Sequence, residues 1–385
     1  MKTVRLGVVG LGNMGRFHVD YLLNKKVNRC ELTAVSDAIP ASLERYKDRV
    51  KTFEKSEDLV RSGLVDAVII ATPHYYHTSI GIDALNSGLH VLVEKPISVH
   101  KADCERLIAA REKNPKLVFA AMFQLRTDPR FKKIKHLISS GALGEIFRVN
   151  WIITDWYRTE AYYASGGWRA TWKGEGGGVL LNQCPHNLDL LQWFCGKPVR
   201  VRAFCQLGRF HNIEVEDNVT AYFEFPNGAT GVFITSTGEA PGTNRLEIAG
   251  DQGKLVHENG KIFFTRNEVP MRQFSTTSKI GFARPDIWNV EIPYDTCGAQ
   301  HTEITQNFVD AILDGTALIA PAEEGVASVE LANAALYSSL TGQTIELPLD
   351  SAAYETKLNQ LIDESKFVKK VVEGQNEDFT KSFTK

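Results

Sequence analysis

The stretch Val4-Arg5-Leu6-Gly7-Val8-Val9-Gly10-Leu11-Gly12-Asn13-Met14-Gly15 decides the fold of this chain of 385 residues. It opens as a short apolar run, which predicts a buried strand, and continues as glycines spaced GxGxxG. Glycines permit a tight turn whose backbone approaches a phosphate closely, and a helix that starts there offers free N–H groups. Because strand, turn and helix follow in this order, the sequence predicts a dinucleotide site formed by Gly10, Gly12, Asn13, Met14 and Gly15.

A carboxylate ends the next predicted strand, which covers residues 32–36 and is followed by Asp37. A carboxylate at that position can accept hydrogen bonds from the hydroxyls of an adenosine ribose, and its charge repels a 2′-phosphate. No arginine follows directly, the nearest being Arg45. The sequence therefore favours NAD over NADP as the cofactor.

The first third of the chain alternates apolar runs with segments of helical spacing. Further runs that predict buried strands cover residues 66–71, 90–93 and 117–121. A helix is expected over residues 102–113, with Ser98 as its N-cap. Buried strands that alternate with helices are typical of a parallel, doubly wound sheet. We therefore expect an α/β fold whose dinucleotide-binding domain covers residues 1–125.

Past residue 145 the pattern changes to longer runs in which apolar and polar residues alternate. These runs predict strands over residues 148–154, 199–206, 219–225 and 230–235. Asn-Gly pairs at 227–228 and 259–260 predict hairpins, and helices are expected over residues 303–313 and 323–340. We expect an α+β domain for substrate binding and oligomerisation over residues 126–350, with an open, mostly antiparallel sheet. A C-terminal helix and polar tail follow over residues 351–385.

Composition narrows the class of protein further. Hydrophobic residues make up 43% and charged residues 23% of the chain, and the formal net charge is −2. This balance gives no electrostatic reason to expect a nucleic acid or a membrane surface as partner. The six cysteines include no CxxC pair, which predicts neither a metal site nor a disulfide framework and favours a reducing, cytoplasmic location. The N-terminal apolar run is broken by glycines, so we interpret it as a strand, not a signal peptide.

A charged pair ends the predicted strand at residues 90–93, in the segment Glu94-Lys95-Pro96. Ligands of doubly wound sheets bind beyond the carboxyl ends of the strands, which is where Lys95 falls. Its ammonium group can bond a nicotinamide ribose and a substrate oxygen, and can stabilise a developing alkoxide. A solvated lysine at a strand end is the alternative interpretation.

A second glycine-rich segment runs from Gly176-Gly177-Gly178 to Asn182-Gln183-Cys184-Pro185-His186-Asn187-Leu188-Asp189. Pro185 predicts the start of a helix, which places His186 and Asp189 on one face. Asp189 can fix the tautomer of His186 or cap the helix. A histidine near a helix start is often structural, but the three glycines allow a close approach to a ligand and favour a functional role.

Aromatic side chains beside charges mark a further candidate region. Tryptophan and tyrosine suit stacking on sugar faces, and equally suit a lid or an interface. Asp155 is the candidate acidic contact to a substrate hydroxyl, and His301 is either a substrate contact or an exposed loop residue. Together with two residues of the second glycine-rich segment, the candidate substrate residues are Asp155, Tyr163, Trp168, Arg169, Asn182, Asp189 and His301.

Four separated motifs together resemble the glucose–fructose oxidoreductase / inositol dehydrogenase / MocA family over residues 3–350. They are Gly10-x-Gly12-x-x-Gly15, Ala71-Thr72-Pro73-x-x-x-His77, Glu94-Lys95-Pro96 and Gly176-Gly177-Gly178-x-Leu180-x-Asn182-x-x-x-His186-x-x-Asp189. The resemblance implies an N-terminal Rossmann domain and a C-terminal domain whose open sheet makes the subunit interface, and hence a homodimer or homotetramer. It also implies cofactor contacts from Ala71, Thr72, Pro73, His77, Glu94 and Lys95.

The resemblance implies an NAD-dependent dehydrogenase that oxidises a secondary hydroxyl of a sugar, a glycoside (at its 3-position in some relatives) or a cyclitol. His186 would take the hydroxyl proton and Lys95 would stabilise the oxyanion. Asn182 departs from the family, in which many dehydrogenases carry aspartate there; it cannot accept a proton but can orient a hydroxyl. Two alternatives are a glycoside-cleaving enzyme that retains its NAD through oxidation and elimination, and a regulator that binds a dinucleotide without catalysis.

Overall fold

A parallel six-stranded sheet forms the first half of the molecule. The computed structural model describes residues 3–295 and 298–372, so Cys297 and the end of the predicted polar tail lie outside the described residues. The strands of the first sheet are β1 (Val4–Val9), β2 (Cys30–Ser36), β3 (Lys51–Phe53), β4 (Ala67–Ile70), β5 (His90–Val93) and β6 (Phe119–Ala121). Their order is β3-β2-β1-β4-β5-β6, and every pair is parallel.

Helices connect these strands and cover the sheet. They are α1 (Asn13–Leu23), α2 (Pro40–Leu43), α3 (Ser56–Val60), α4 (Tyr75–Asn86) and α5 (Lys101–Glu112). Short 3-10 turns lie at Glu44–Tyr46 and Gln124–Thr127. The strand order reverses between β1 and β4, and a crevice opens at such a point beyond the carboxyl ends of the strands. The predicted glycine turn and the loop after β4 both lie there.

The second half is built on a mixed, mostly antiparallel sheet. Its nine strands have the order β14-β13-β12-β11-β7-β10-β9-β8-β15, and only β7 and β10 pair in parallel. They are β7 (Ile146–Ile153), β8 (Arg200–Leu207), β9 (Glu216–Glu224), β10 (Thr230–Ser236), β11 (Asn244–Gly250), β12 (Gly253–Glu258), β13 (Lys261–Asn267), β14 (Ile287–Ile292) and β15 (Ile345–Glu346). The fold class predicted from the sequence is confirmed.

Helices pack on one face of this sheet. The helices of the second half are α6 (Pro129–Ser139), α7 (Glu160–Ala164), α8 (Val179–Asn182), α9 (Pro185–Cys195), α10 (Met271–Thr277), α11 (His301–Asp314), α12 (Ala322–Thr341) and α13 (Ser351–Glu364). Phe308 of α11 belongs to the core of the first sheet, and Leu336 of α12 belongs to the core of the second. The last helices therefore join the two cores.

Several local expectations hold and one is wrong. The Asn-Gly hairpins join β9 to β10 and β12 to β13 in antiparallel pairs. Ser98 does not cap α5; its Oγ lies 2.5 Å from Thr78 Oγ1, and the side chain of His100 accepts the Asp103 N–H instead. Among the described helices, none combines the length and the apolar character needed to cross a membrane.

Candidate active site

The glycine turn after β1 has the shape that a dinucleotide needs. Gly10 has φ +90°, and a Cβ on Gly15 would collide with the Gly10 carbonyl oxygen. A Cβ on Gly12, in contrast, would meet no protein atom within 4 Å. The N-terminus of α1 has no side-chain cap, and the nearby Thr72 Oγ1 is buried without a partner. The turn therefore leaves room and unfilled hydrogen-bonding groups where a pyrophosphate would bind.

Asp37 lies beyond β2 and is tied to the glycine turn. Its Oδ2 accepts the N–H of Leu11 at 2.6 Å, and its Oδ1 accepts the N–H of Ile39 at 2.8 Å. Each carboxylate oxygen keeps a further lone pair, because a carboxylate offers about four acceptor sites. Asp37 can thus hold the turn in place and accept a ribose hydroxyl at the same time.

The loop after β4, which begins with Ala71, Thr72 and Pro73, is held by a buried histidine. His77 Nε2 lies 2.8 Å from the Thr72 carbonyl oxygen, and its Nδ1 lies 2.8 Å from the Pro96 carbonyl oxygen. His77 therefore joins this loop to the Glu-Lys-Pro segment, so any contribution to cofactor binding is made through the backbone that it positions. His74, which the sequence analysis did not single out, is buried with its ring 5.2 Å from that of Trp168 and its Nδ1 unpartnered.

A buried polar network lies under the end of β5. Glu94 Oε1 accepts a hydrogen bond from His18 Nε2 at 2.7 Å, and His18 Nδ1 lies 2.6 Å from the Tyr21 hydroxyl. Burial alone would raise the pKa of Glu94, but the hydrogen bond and charge of His18 lower it to about 2. His301 is buried as well, with its ring 6.1 Å from that of His18. The expectation of an exposed loop residue at 301 is wrong, because His301 begins α11 and packs beside this network.

Lys95 reaches from the first half of the molecule to the second. Its Nζ donates to the backbone carbonyl of Asn182 at 2.7 Å. Burial lowers the pKa of Lys95, while the carboxylates of Glu94 and Glu175 oppose that shift. The side-chain amide of Asn182 donates to Glu175 Oε1. Lys95 is thus a held cation at the meeting point of the two halves, not a solvated charge.

His186 lies in the first turn of α9, as predicted. Gln124 Nε2 lies 3.1 Å from His186 Nε2, while His186 Nδ1 and Gln124 Oε1 are buried without partners. Burial lowers the pKa of His186 well below its ordinary value, and the charge of Lys95 lowers it further. For His186 to accept a proton through Nδ1, Gln124 must turn its amide so that its oxygen accepts the Nε2–H. His186 is therefore held neutral, and a turn of the Gln124 amide would free its Nδ1 to accept a proton.

Two predicted substrate residues serve the structure instead. Asp189 is buried and paired with Arg126, whose Nη2 lies 2.6 Å and Nε 2.8 Å from its oxygens. It neither caps α9 nor bonds His186, so both interpretations of Asp189 were wrong. The hydroxyl of Tyr163 lies 2.7 Å from Thr237 Oγ1, and its ring packs at 4.7 Å from that of His211. Both side chains are already engaged within the protein.

Trp168 and Arg169 are partly exposed and belong to a loop whose Trp168 ring packs beside His74. The Arg169 guanidinium lies 4.8 Å from the Trp168 ring centre and 4.7 Å from that of Tyr162. Lys369, which follows α13, donates to the Arg169 carbonyl and so brings the C-terminal segment to the same loop. Asp155 accepts from Asn244 Nδ2 at 3.3 Å. The loop presents aromatic faces beside cations, which suits a ligand with both hydroxyls and apolar faces.

The site also contains residues that the sequence analysis missed, namely His18, His74, Gln124 and Glu175. Glu175 is 1% exposed although it stands in a glycine-rich loop, and Gln124 follows β6 at the carboxyl edge of the sheet. A charged residue directly before three glycines, and a polar residue after a predicted strand, were available signals. Gln124 contacts His186 and Glu175 contacts Asn182, and neither contact is indicated by the residues next to them in the sequence.

A parallel sheet in Rossmann strand order, a glycine turn at its switch point and a buried lysine near a neutral histidine define a dinucleotide-dependent oxidoreductase. The chain belongs to the GFO/IDH/MocA family. Residues 4–122 match the description "Oxidoreductase family, NAD-binding Rossmann fold", and residues 131–256 match "GFO/IDH/MocA C-terminal domain". The resemblance inferred from the motifs is confirmed, and so is NAD as the cofactor.

Three similar proteins illustrate the family. Myo-inositol 2-dehydrogenase of Thermotoga maritima is 26% identical over 66% of this chain and 75% of its own length. Inositol 2-dehydrogenase of Salmonella typhimurium is 34% identical over 38% of this chain and 45% of its own length. The WlbA dehydrogenase of Chromobacterium violaceum, solved with NADH and UDP-GlcNAcA, is 26% identical, with a TM-score of 0.79 over 91% of this chain and 97% of that one.

Proposed function

We propose that this protein is an NAD-dependent dehydrogenase that oxidises a secondary hydroxyl of a sugar, a glycoside or a cyclitol to a ketone. The observation that carries the proposal is the contact of Lys95 Nζ with the Asn182 carbonyl at 2.7 Å. This contact places a cation from the carboxyl edge of the dinucleotide sheet beside the helix that carries His186. A substrate carbon held there lies within reach of both a proton acceptor and a cofactor.

Each side chain has a distinct role in this proposal. Neutral His186 accepts the proton of the substrate hydroxyl, since burial keeps its pKa low. Lys95 stabilises the oxygen as negative charge develops on it, and Asn182 orients the hydroxyl. The chemistry that NAD⁺ supplies when bound is the acceptance of a hydride from the same carbon. Gly10, Gly12 and Asp37 would hold the cofactor, and Trp168 and Arg169 would cover the substrate.

The relatives support a polyhydroxylated substrate. The two similar inositol dehydrogenases act on a cyclitol by name, and the similar WlbA structure holds a sugar nucleotide. The inositol dehydrogenase of Salmonella matches over less than half of its own length, so a particular substrate does not follow from it. A ring that bears several hydroxyls fits the aromatic faces and cations of the Trp168 loop.

A substrate screen tests the proposal. Purified protein is mixed with NAD⁺ or NADP⁺ and a panel of sugars, glycosides and cyclitols, and the absorbance of the reduced nicotinamide is followed. We expect reduction of NAD⁺ with at least one polyol, and a loss of about 100-fold or more in kcat for Lys95→Ala. Glycoside cleavage without net NADH would favour the oxidation–elimination alternative. Tight NAD binding without turnover of any polyol would favour a regulator and contradict the proposal.

We also propose that the protein acts as a homodimer or homotetramer in the cytoplasm. The outer face of the nine-stranded sheet supports an oligomer, because Phe204 and Tyr222 are 62% and 40% exposed on it. Phe204 lies opposite Thr220, and Tyr222 lies between Arg202 and Val232, so the two aromatic side chains share one face on neighbouring strands. The five described cysteines are free thiols, which supports a reducing compartment.

A further inference from the structure

Glu175 is a buried carboxylate in the loop between Trp172 and the three glycines. Its Oε2 accepts the N–H of Ala170 at 2.6 Å, and its Oε1 accepts the side-chain amide of Asn182. Burying a carboxylate costs free energy unless it is hydrogen-bonded and its charge is compensated. The two hydrogen bonds that Glu175 accepts, and the charges near it, therefore indicate what a buried carboxylate does at this position.

Asn182 connects Glu175 to Lys95 in two ways. Its amide nitrogen is committed to Glu175, and its backbone carbonyl accepts from Lys95 Nζ at 2.7 Å. With the nitrogen engaged, the amide oxygen of Asn182 faces the other way and is the end that can accept a substrate hydroxyl. An asparagine without a fixed partner can present either end. Glu175 thus decides that Asn182 acts as an acceptor.

The charges of Glu175 and Lys95 also act on each other. Burial lowers the pKa of Lys95, and the negative charges of Glu94 and Glu175 oppose that shift. Burial raises the pKa of Glu175, while the charge of Arg169 and the hydrogen bonds from Ala170 and Asn182 oppose the rise. The other charged or titratable groups that interact with Lys95 are Glu94, Arg158, Arg169, His74, His77, Cys184, His186 and His301. Those that act on Glu175 are Arg169, Lys369, Glu216 and Tyr163. Removal of Glu175 leaves Glu94 as the one carboxylate among the groups that favour the charged form of Lys95.

We propose that Glu175 is the positioning residue of this site, which fixes Asn182 as the acceptor of the substrate hydroxyl and keeps Lys95 protonated. This inference rests on the proposed dehydrogenase function. Glu175 acts through Asn182 and Lys95 and does not itself exchange a proton with the substrate. Glu175 contacts the amide nitrogen of Asn182. It would therefore affect the reaction by orienting that amide and through its charge on Lys95.

The variant Glu175→Gln removes the charge and preserves the size of the side chain. We expect kcat to fall by about 10-fold or more, as for the loss of one preorganised group near a developing charge. The alkaline limb of the pH–rate profile, where Lys95 loses its proton, should move to lower pH because one attracting carboxylate is gone. The exposed Glu160, the first residue of α7, provides the matched control, and Glu160→Gln should leave kcat and the profile unchanged.

Exchanging the two partners gives the sharper test. Asn182→Asp alone sets two carboxylates against each other and should move the alkaline limb to higher pH. The double variant Glu175→Gln with Asn182→Asp keeps one amide and one carboxylate in the pair, and its alkaline limb should return toward that of the natural protein. An unchanged profile in Glu175→Gln, or a double variant no closer to the natural protein than Glu175→Gln, would overturn the inference.

A readout without turnover separates this inference from the proposed function. The pKa of the Lys95 ammonium can be measured by NMR in the free protein, and its resonance identified by its loss in Lys95→Ala. The inference requires that pKa to fall in Glu175→Gln and to rise in Asn182→Asp, whether or not any polyol is oxidised. If those shifts occur while no substrate reacts, the dehydrogenase proposal fails and the link between Glu175 and Lys95 stands. If neither shift occurs, the link fails on its own.

Discussion

Asp37 would combine two tasks in one carboxylate, because it accepts the N–H of Leu11 and, in the proposed cofactor site, would also accept a hydroxyl of the adenosine ribose. We expect a higher kcat/KM with NAD⁺ than with NADP⁺. The double variant Asp37→Ser with Ala38→Arg removes the repulsion and adds a partner for a phosphate. It should reduce the preference for NAD⁺ by about 10-fold or more, which corresponds to about 1.4 kcal/mol.

Steady-state kinetics with both cofactors measure this effect, and Ala38→Arg alone serves as the control. The single variant retains the carboxylate and should change the preference less than the double variant does. Because Asp37 also ties down the glycine turn, both cofactors should bind more weakly to any variant that lacks it. Equal use of NAD⁺ and NADP⁺ by the natural protein would contradict the role given to Asp37.

If His186 is the proton acceptor that we propose, its protonation sets the acidic limb of the oxidation reaction. Burial and the charge of Lys95 lower its pKa, so the limb should lie well below pH 6.5, the ordinary value for histidine. His186→Ala should lower kcat by about 100-fold or more and remove that limb. His136→Ala, at an exposed position on α6, should change neither. A His186→Ala profile that keeps its acidic limb would mean that another group, with Asp155 the first candidate, takes the proton.

Single residues show where sequence reasoning reaches its limit. The places of Lys95 after a strand and of His186 in the first turn of a helix were predictable, because strand ends and helix starts have local signals. Asp189 was misread because its partner, Arg126, is 63 positions away in the chain. Gln124 and His186 are 62 positions apart, and no local pattern announces their contact. The residues that surround a catalytic group are chosen by packing, which a single sequence does not reveal.

The glycine turn between β1 and α1 depends on each glycine for a different reason. A Cβ on Gly15 would collide with the Gly10 carbonyl oxygen, a backbone atom that cannot move away easily. Gly15→Ala should therefore destabilise the fold by about 3 kcal/mol, near the upper end for overpacking. Gly12 has φ −65° and open space around it, so Gly12→Ala should fold normally.

The pair of variants separates stability from binding. Thermal unfolding should show a lower Tm for Gly15→Ala and an unchanged Tm for Gly12→Ala. The methyl group of Gly12→Ala lies where a pyrophosphate would approach, and should weaken NAD binding by about 10-fold, measured by calorimetry. Normal NAD affinity in Gly12→Ala would mean that the cofactor does not cross this turn.

The segment from Gly178 to Leu180 is held by a buried carboxylate. Glu216 accepts the N–H of Gly178 at 2.9 Å and that of Leu180 at 3.1 Å. Burial raises its pKa from 4.5 to about 7, although these N–H groups oppose the shift. The folded protein keeps this proton at a pH where the unfolded chain has released it. Its contribution to stability therefore falls as the pH rises from about 4.5 to about 7, by roughly 3 kcal/mol.

Urea unfolding at pH 5 and pH 8 tests this linkage. The free energy of unfolding should fall between the two conditions, and Glu216→Gln should reduce the fall. It should not abolish it, because burial also raises the pKa of the neighbouring Glu175. An equal loss of stability with pH in both proteins would show that Glu216 is ionised in the fold, paired with a group other than these N–H donors.

Helices and strands with a strong local sequence pattern were predicted, and those with a weak pattern were missed. The alternating strands and Asn-Gly turns were predicted within a few residues, because period and turn chemistry are encoded locally. The strand β3 was missed, since its three residues Lys51–Phe53 show no periodicity and, at the edge of the sheet, pair only with β2. The N-cap of α5 was also predicted at the wrong residue, because His100 and not Ser98 occupies that position. Ser98 is a preferred cap residue, but its hydroxyl is bound by Thr78.

At the scale of the whole molecule, one large surface lacks a helical cover among the described residues. The inner side chains of β8, β9 and β10, such as Ala203, Ala221 and Phe233, are buried under helices. The outer side chains Phe204, Tyr222 and Ile234 share the opposite face by their strand register. An antiparallel sheet tolerates water on one face, but exposed aromatic side chains on that face favour association. Two-fold pairing would bury the same side chains on both subunits.

The assembly state follows from that face, and light scattering measures it. We expect a mass of at least twice the 42.9 kDa of one chain at micromolar concentration. Phe204→Glu combined with Tyr222→Lys puts charges on that face and should shift the mass to that of one chain, since buried unpaired charges are costly. Leu64→Glu makes a similar change at an exposed position on the first half of the molecule and should leave the mass unaltered. Both variants should keep the Tm of a folded monomer, which separates dissociation from unfolding. A natural protein that scatters as a single chain would show that water, not a second subunit, covers the open sheet.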